Sequence, residues 1–299
     1  MAVVEQAATG ATGEWKQSAC ILCSVNCGVE LLVEGNTIAK VTGDRSHPIS
    51  EGYACQKAQR LNYYQNDKHR LTSPLRRRDD GTFEEVSWDV AICEIADRLK
   101  RVRDTHGGHA IAYFGGGGQG NHLGGTYGGA LRAALGTRFL YTSLAQEKTG
   151  GFWVDGKLFG KQNCHPAEGA HDADYLLVIG ANPWQAHGLP QARKLIQDIA
   201  GDPNRKLVVV DPRRTETAEK ADVFLQVKPG GDAHLMLAML GTIVQEGLED
   251  KKFIAERTKG FDEVAAMLRE IPVDDYAREA GPDAEQVRQV AREYAKADR

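Results

Sequence analysis

Long apolar runs are missing from this chain. None approaches the roughly 20 residues that a membrane-spanning helix needs, so no membrane segment is expected. Neither charge sign dominates. The 37 Lys and Arg against 41 Asp and Glu leave a net charge of -4, without the basic footprint that marks a nucleic-acid binder. Residues 1–17 hold no apolar core and no twin arginines. They read as a loose tail rather than an export signal, which points to a cytoplasmic protein. Cysteine is scarce, with six in 299 residues. In a chain large enough to bury a core without staples, that argues for ligands and free thiols over disulfides.

What cysteine there is lies together. Cys20, Cys23, Cys27 and Cys55 follow the spacing C-x2-C-x3-C-x27-C. Three sulfurs on one tight loop and a fourth returning from a distance suit a tetrahedral zinc, and equally an iron–sulfur cubane with one sulfur per iron. Spacing leaves both open. Between the third and fourth cysteines, the apolar runs Val29–Val33 and Thr37–Val41 flank Glu34-Gly35-Asn36. That pattern predicts a hairpin that carries Cys55 back to the loop.

Further along, Arg76–Arg78 read as a solvated basic surface. Ser87 is placed to cap a helix whose apolar face is Ala91, Ile92, Ile95, Ala96, Leu99 and Val102, with Cys93 as a small buried hydrophobe and Gly107-Gly108 as the stop. A short strand at Ala110–Phe114, a glycine loop at Gly115–Asn121 and a helix at Gly128–Leu135 follow. The loop lacks the G-x-G-x-x-G register of a dinucleotide fold, so a plain loop reads as well as a phosphate cradle.

Three apolar strands are expected at Asp174–Gly180, Lys206–Asp211 and Val223–Val227, with helices from Gln191 to Ile199 and from about Ala233. Buried apolar strands interleaved with helices predict a doubly wound α/β sheet, whose ligands bind at the carboxyl ends of the strands. All three ends carry polar or glycine-rich loops: Gly180-Ala181-Asn182, Asp211-Pro212-Arg213 and Pro229-Gly230-Gly231-Asp232. An aspartate can take two hydrogen bonds from a guanidine-like edge and an arginine can clamp a phosphate. A nucleotide-like ligand is the expectation, against ordinary turn chemistry.

Together these residues resemble the amino-terminal part of the molybdenum or tungsten bis-pyranopterin oxidoreductases, the formate dehydrogenases and nitrate reductases among them. The marks are the cysteine quartet, Gly52 and Lys57 around Cys55, Arg70-Leu-Thr-Ser-Pro-Leu75, Trp88-Asp89, Ile179–Pro183, Val210–Thr215 and Lys228–Asp232. The resemblance implies an α/β chain with a small [4Fe-4S] module of short antiparallel strands at 18–75 and a doubly wound pterin-binding region at 76–299. It implies a [4Fe-4S] cluster on the quartet, with Lys57 between cluster and pterin. It also implies a molybdenum or tungsten bis-molybdopterin guanine dinucleotide, with Gly180, Asn182, Asp211, Arg213, Thr215, Pro229, Gly230 and Asp232 toward the nucleotide end. A small-molecule substrate and an electron-transfer partner protein complete the expectation.

Two departures stand out. Where formate dehydrogenases place a metal-binding cysteine or selenocysteine, this chain reads Thr142–Gly151 without one. Glu147 is the candidate ligand, Ser143 the second, with Lys148 where formate dehydrogenases carry histidine. Cys164, beside His165, comes too late to match. The family's catalytic subunits are also much longer. The chain is therefore expected to be a truncated piece without the carboxyl-terminal pterin domain, ending in charged helices with Phe253, Ile254, Phe261, Val264, Met267 and Leu268 on an apolar face. A non-catalytic iron–sulfur or zinc module joined to a nucleotide-like binding domain is the alternative reading.

Overall fold

The expected hairpin forms. In the computed structural model, which describes residues 13–115, 123–162, 164 and 169–299, β2 (Gly28–Glu34) and β3 (Thr37–Gly43) pair antiparallel. Gly35, at φ 58, takes the first central position of the two-residue turn, where a right-handed strand twist calls for a positive φ. A third strand, β1 (Glu14–Ala19), pairs antiparallel with β2. The stretch expected to be a loose tail is thus strand from Glu14 onward, because its backbone pairs with β2, while residues 1–12 lie outside the described residues. Val29 and Val41 are buried against Ala58, Leu61 and Cys20, so the apolar side of this small sheet and the short helix α1 (Leu61–Gln65) form one core.

Close backbone approach turns the chain back toward the cysteine loop. Gly52 N–H donates to the Asp44 carbonyl, and the Gly28 N–H donates to the buried Ser50 hydroxyl, which also meets His47 Nδ1 at 2.9 Å. A Cβ on Gly43 would lie 2.0 Å from the Gly52 carbonyl oxygen, and one on Gly28 would lie 2.4 Å from His47 Cβ. Only glycine leaves room for the loop that delivers Cys55.

The same unit continues through a hairpin of β4 (Leu75–Arg77) and β5 (Phe83–Glu85) to α2 (Trp88–His106). Arg76 and Arg78 both pair with Glu84, and Arg76 also reaches Glu94 on α2. Ser87 caps α2 by accepting from the Val90 N–H, and Gly107 at φ 79 ends it. No residue of α2 is buried, however, and Cys93 is exposed. The burial expected of Cys93 fails because too little packs over this side of the helix, where Ile92 and Ile95 also stay more than half exposed. Next come β6 (Tyr113–Phe114), α3 (Leu123–Leu135) and β7 (Leu140–Tyr141), with β6 parallel to β7. Two residues of strand form where five were expected, since Gly108–Ala110 is a 3-10 turn. Of the glycine loop, 116–121 lie outside the described residues. The short helices α4 (Leu144–Glu147) and α5 (Thr149–Phe159) follow.

The Cα packing divides the chain into two compact units, Met1–Pro166 and Ala167–Arg299, rather than near residue 75. The second unit is built on three parallel strands in the order β10-β9-β8. These are β8 (Tyr175–Ile179), β9 (Lys206–Val210) and β10 (Val223–Leu225), with α6 (Pro183–Ala186) and α7 (Ala192–Gly201) between the first two. Behind β10 run α8 (Asp232–Gln245), α9 (Lys251–Arg257), α10 (Phe261–Arg269), α11 (Val273–Ala280) and α12 (Ala284–Lys296).

The central strand explains the layers. Leu207 and Val209 face Leu195, Ile196 and Ile199 of α7, whereas Val208 and Val210 face Leu235 of α8, Ala277 of α11 and Val287 of α12. All four β9 residues from Leu207 to Val210 are fully buried, as a parallel strand covered on both faces must be. On α10 it is Ala265 and Leu268 that turn inward, toward Val244. Of the expected apolar face, Leu268 is buried, Phe261 packs against the same cluster and Ile254 is half-buried, whereas Phe253, Val264 and Met267 are each more than 45% exposed.

Two glycine substitutions separate space from backbone strain. Gly35→Ala, with nothing within 4 Å of its new Cβ, should cost about 1 kcal/mol, the left-handed penalty alone. Gly43→Ala should prevent the module from closing. Denaturant unfolding of both variants checks the ranking, and equal stabilities would contradict it.

Candidate cluster and cofactor sites

The loop Cys20–Cys27 is shaped by its own backbone. The Cys20 N–H donates to the Cys27 carbonyl at 2.8 Å, the Asn26 N–H to the Cys23 carbonyl, and Asn26 takes a left-handed φ of 48 that its side chain tolerates. Cys55 arrives three residues before a 3-10 turn, Ala58–Arg60. The four sulfurs come close enough to act on one another electrostatically. Burial raises the Cys20 thiol above its ordinary range, and Cys55 and Cys23 push the same way while Lys57 opposes them. Burial, then the other three sulfurs, pushes Cys27 up to about 11.

This donor set fits an iron–sulfur cluster. All four cysteines carry free thiols; Cys20 is buried in the apolar core of Val29, Val41 and Leu61, and Cys27 and Cys55 pack against it. Yet among the described residues no three His, Cys, Asp or Glu side chains draw together as one ion requires. A zinc demands four sulfurs at about 2.3 Å from a single point. A cubane spreads them over four irons, one sulfur to each.

In the second unit the three strand-end loops meet side by side, as parallel order requires. Asp211 is buried, and its Oδ1 accepts from the Arg213 N–H at 2.8 Å. The Arg213 guanidinium is 68% exposed, 3.9 Å from Glu216. Thr215 is buried, its hydroxyl spent on the Ala218 N–H. Asn182 turns toward the loop after β9, donating to Glu216 at 2.7 Å and accepting from the Thr217 hydroxyl at 2.7 Å. Gly180 and Gly230 both adopt positive φ, and Pro229 and Asp232 are exposed at the start of α8. A cleft of about 510 Å³ opens here, lined by Pro212, Phe224, Gln226, Lys228 and Pro229 among others.

Of the expected contacts, Arg213, Gly230 and Asp232 are exposed and Asp211 is buried. Asn182 and Thr215 point their polar atoms into protein. Glu216, Thr217 and Trp184, which bind these loops together, escape sequence reasoning, since a buried threonine hydroxyl leaves no periodicity to read. In the first unit Glu147 ends α4 and is exposed, and Ser143 precedes that helix without capping it. Cys164 is half-buried, with His165 outside the described residues.

Metal-free protein offers a direct check of the sulfur environment. Because the folded module holds the Cys27 proton above the ordinary 9.0, the stabilisation from that proton is complete below pH 9 and is lost as pH climbs toward 11. The thiolate is the nucleophile, so alkylation of Cys27, followed by peptide mass spectrometry, should accelerate about tenfold per pH unit until near pH 11. A plateau at pH 9 would contradict the burial.

Comparison with known proteins agrees with this geometry. Residues 14–67 match the molybdopterin oxidoreductase Fe4S4 domain, and residues 70–269 match the molybdopterin oxidoreductase family. The chain is 31% identical over 281 residues to the F420-dependent formate dehydrogenase subunit alpha of Methanocaldococcus jannaschii, covering 94% of this chain and 40% of that one. It is 30% identical to a nitrate reductase of Symbiobacterium thermophilum, covering 95% and 38% respectively. The solved acetylene hydratase from Pelobacter acetylenicus superposes with a TM-score of 0.80 at 28% identity, over 95% of this chain and 39% of that one. The chain therefore spans about 40% of the length of the curated relatives it matches. The two matched domains indicate a 4Fe-4S cluster and a molybdenum or tungsten molybdopterin cofactor. With its cysteine quartet on a three-stranded module ahead of a parallel α/β unit, the chain belongs to the molybdopterin oxidoreductase family and carries that family's Fe4S4 domain.

Proposed function

We propose that this chain is the cluster-bearing, nucleotide-binding portion of a catalytic subunit that exchanges two electrons with a small-molecule substrate. Cys20, Cys23, Cys27 and Cys55 would hold a cluster able to pass those electrons singly to a partner protein. The observation that carries the reading is the convergence of Cys20, Cys27 and Cys55 on one apolar core, with Cys23 near enough to act on Cys20 and Cys27 and the Lys57 charge felt at Cys20. When bound, a molybdenum or tungsten held by two pterin dithiolenes supplies the two-electron centre.

The chain's own residues do the rest. The four thiolates hold iron, and Val29, Val41 and Leu61 keep water from the sulfurs, which tunes the potential. Lys57 lends positive charge to the path between cluster and pterin. Asp211, whose Oδ2 has no partner among the described residues, can accept from the N–H edge of a guanine. Arg213 can clamp a phosphate, and Gly180, Pro229, Gly230 and Asp232 bring backbone and a carboxylate to the same seat. Glu147 is the proposed protein ligand of the metal, with an exposed carboxylate on a four-residue helix. A carboxylate in place of a thiolate or selenolate leaves formate without support as the substrate. The unpaired cysteines suit a reducing, cytoplasmic compartment. No helix among the described residues is long and apolar enough to cross a membrane.

Metal analysis of anaerobically purified protein tests the reading, alongside Cys23→Ala. About four irons with matching sulfide per chain, lost in the variant, are expected, with molybdenum or tungsten where the pterin is retained. One zinc and no sulfide would overturn the redox assignment in favour of a zinc module.

A further inference from the structure

Asn182 stands at the first boundary of α6, the position from which asparagine ordinarily caps its own helix by accepting from the second or third helical N–H. Here it does not. The Trp184 N–H, which such a cap would satisfy, donates instead to the hydroxyl of Thr217, at 3.1 Å, from the loop after β9. Thr217 in turn donates both its hydroxyl, at 2.7 Å, and its backbone N–H, at 3.3 Å, to Asn182 Oδ1. Asn182 Nδ2 donates to Glu216 at 2.7 Å. The cap has been exchanged between two loops.

We infer that Thr217 and Asn182 form a clamp that sets the spacing of the strand-end loops after β8 and β9, and with it the seat for the nucleotide. They act as positioning residues rather than as direct contacts. The inference rests on the nucleotide reading above.

Four features make the clamp tight. Thr217 is fully buried, so its hydroxyl can find no substitute partner in water, and breaking the exchange strands a buried donor and acceptor. Pro183 follows Asn182 and pre-sets the helical φ, so the turn has little freedom to re-form a cap locally. Arg193 donates to the Trp184 carbonyl at 2.7 Å and lies 5.5 Å from the indole, with Lys220 at 5.4 Å from the same ring. Finally, Glu216 lies one residue from Thr217 and 3.9 Å from Arg213. The clamp therefore reaches the exposed guanidinium that would meet a phosphate. With its Oδ1 taken twice and its Nδ2 held by Glu216, Asn182 has little left to offer a ligand.

The test uses the full chain, with GDP as the probe. Affinity is measured by calorimetry, and loop protection by hydrogen exchange with mass spectrometry. Thr217→Val keeps the shape of the side chain and removes the hydroxyl, while Thr217→Ser keeps the hydroxyl. The expected result is binding by the unaltered chain, at least tenfold weaker binding by the valine variant with faster exchange at 182–186 but not at 206–210, and recovery to within about twofold by the serine variant. Equal GDP affinity in all three chains would overturn the clamp and leave the nucleotide site standing. A uniform loss of protection across β9 in the valine variant would also overturn it, since that marks general destabilisation. No binding by the unaltered chain would overturn the nucleotide reading, and the clamp's role with it.

Discussion

Four cysteine sulfurs drawn near one another would repel as thiolates, and burial makes two of them, Cys20 and Cys27, resist ionisation. At both, neighbouring sulfurs add to the burden. Such a site is costly to charge unless something positive replaces the protons. The architecture around it follows from that constraint. A hairpin and a glycine-rich return loop hold Cys55 against a loop that carries three cysteines. Lys57 supplies the nearest charge that eases the burden. Iron joined to four thiolates in place of protons turns an unfavourable cavity into the stable heart of the module.

The second unit solves a different problem, that of building a polar seat on an apolar sheet. β9 is sealed on both faces, so polar side chains can appear only where the strands run out. There the buried hydrogen bonds among Asn182, Trp184 and Thr217 do the work that loose loops would leave to the ligand. Binding a nucleotide is favoured when the groups that meet it are already held apart at the right distance. Arg213 stays exposed while its neighbours are tied, so the loop keeps one extended cation over an otherwise ordered rim.

Apolar surface tells a further part. Trp88, Ile92, Ile95, Phe114, Trp153 and Phe159 of the first unit all remain more than half exposed. Amphipathic periodicity predicts which side of α2 is apolar, but not whether anything covers it. The relatives are more than twice as long as this chain, and their catalytic activity belongs to the whole of that length.

Much was legible beforehand. Cysteine spacing pointed to a ligand quartet, Gly35 and its neighbours named the hairpin, and apolar runs at Asp174–Gly180, Lys206–Asp211 and Val223–Val227 named the parallel strands, which form over Tyr175–Ile179, Lys206–Val210 and Val223–Leu225. Each of these signals is local, a spacing or a period written along a few residues. The rest depended on partners distant in the chain. Whether Glu14–Ala19 is tail or strand was decided by β2, whether Cys93 is buried was decided by what packs on α2, and which side of α10 turns inward was decided by Val244. Asn182 carries the clearest lesson. Its identity fits both a ligand contact and a helix cap, and only the fold, by bringing Thr217 to it from 35 residues away, makes it neither. The sequence by itself determined most of the elements and the grouping of four cysteines, because spacing and periodicity are properties of the chain. Tertiary structure decided which polar atoms remain to meet a ligand, because a buried hydrogen bond is made by whichever partner packing brings within reach.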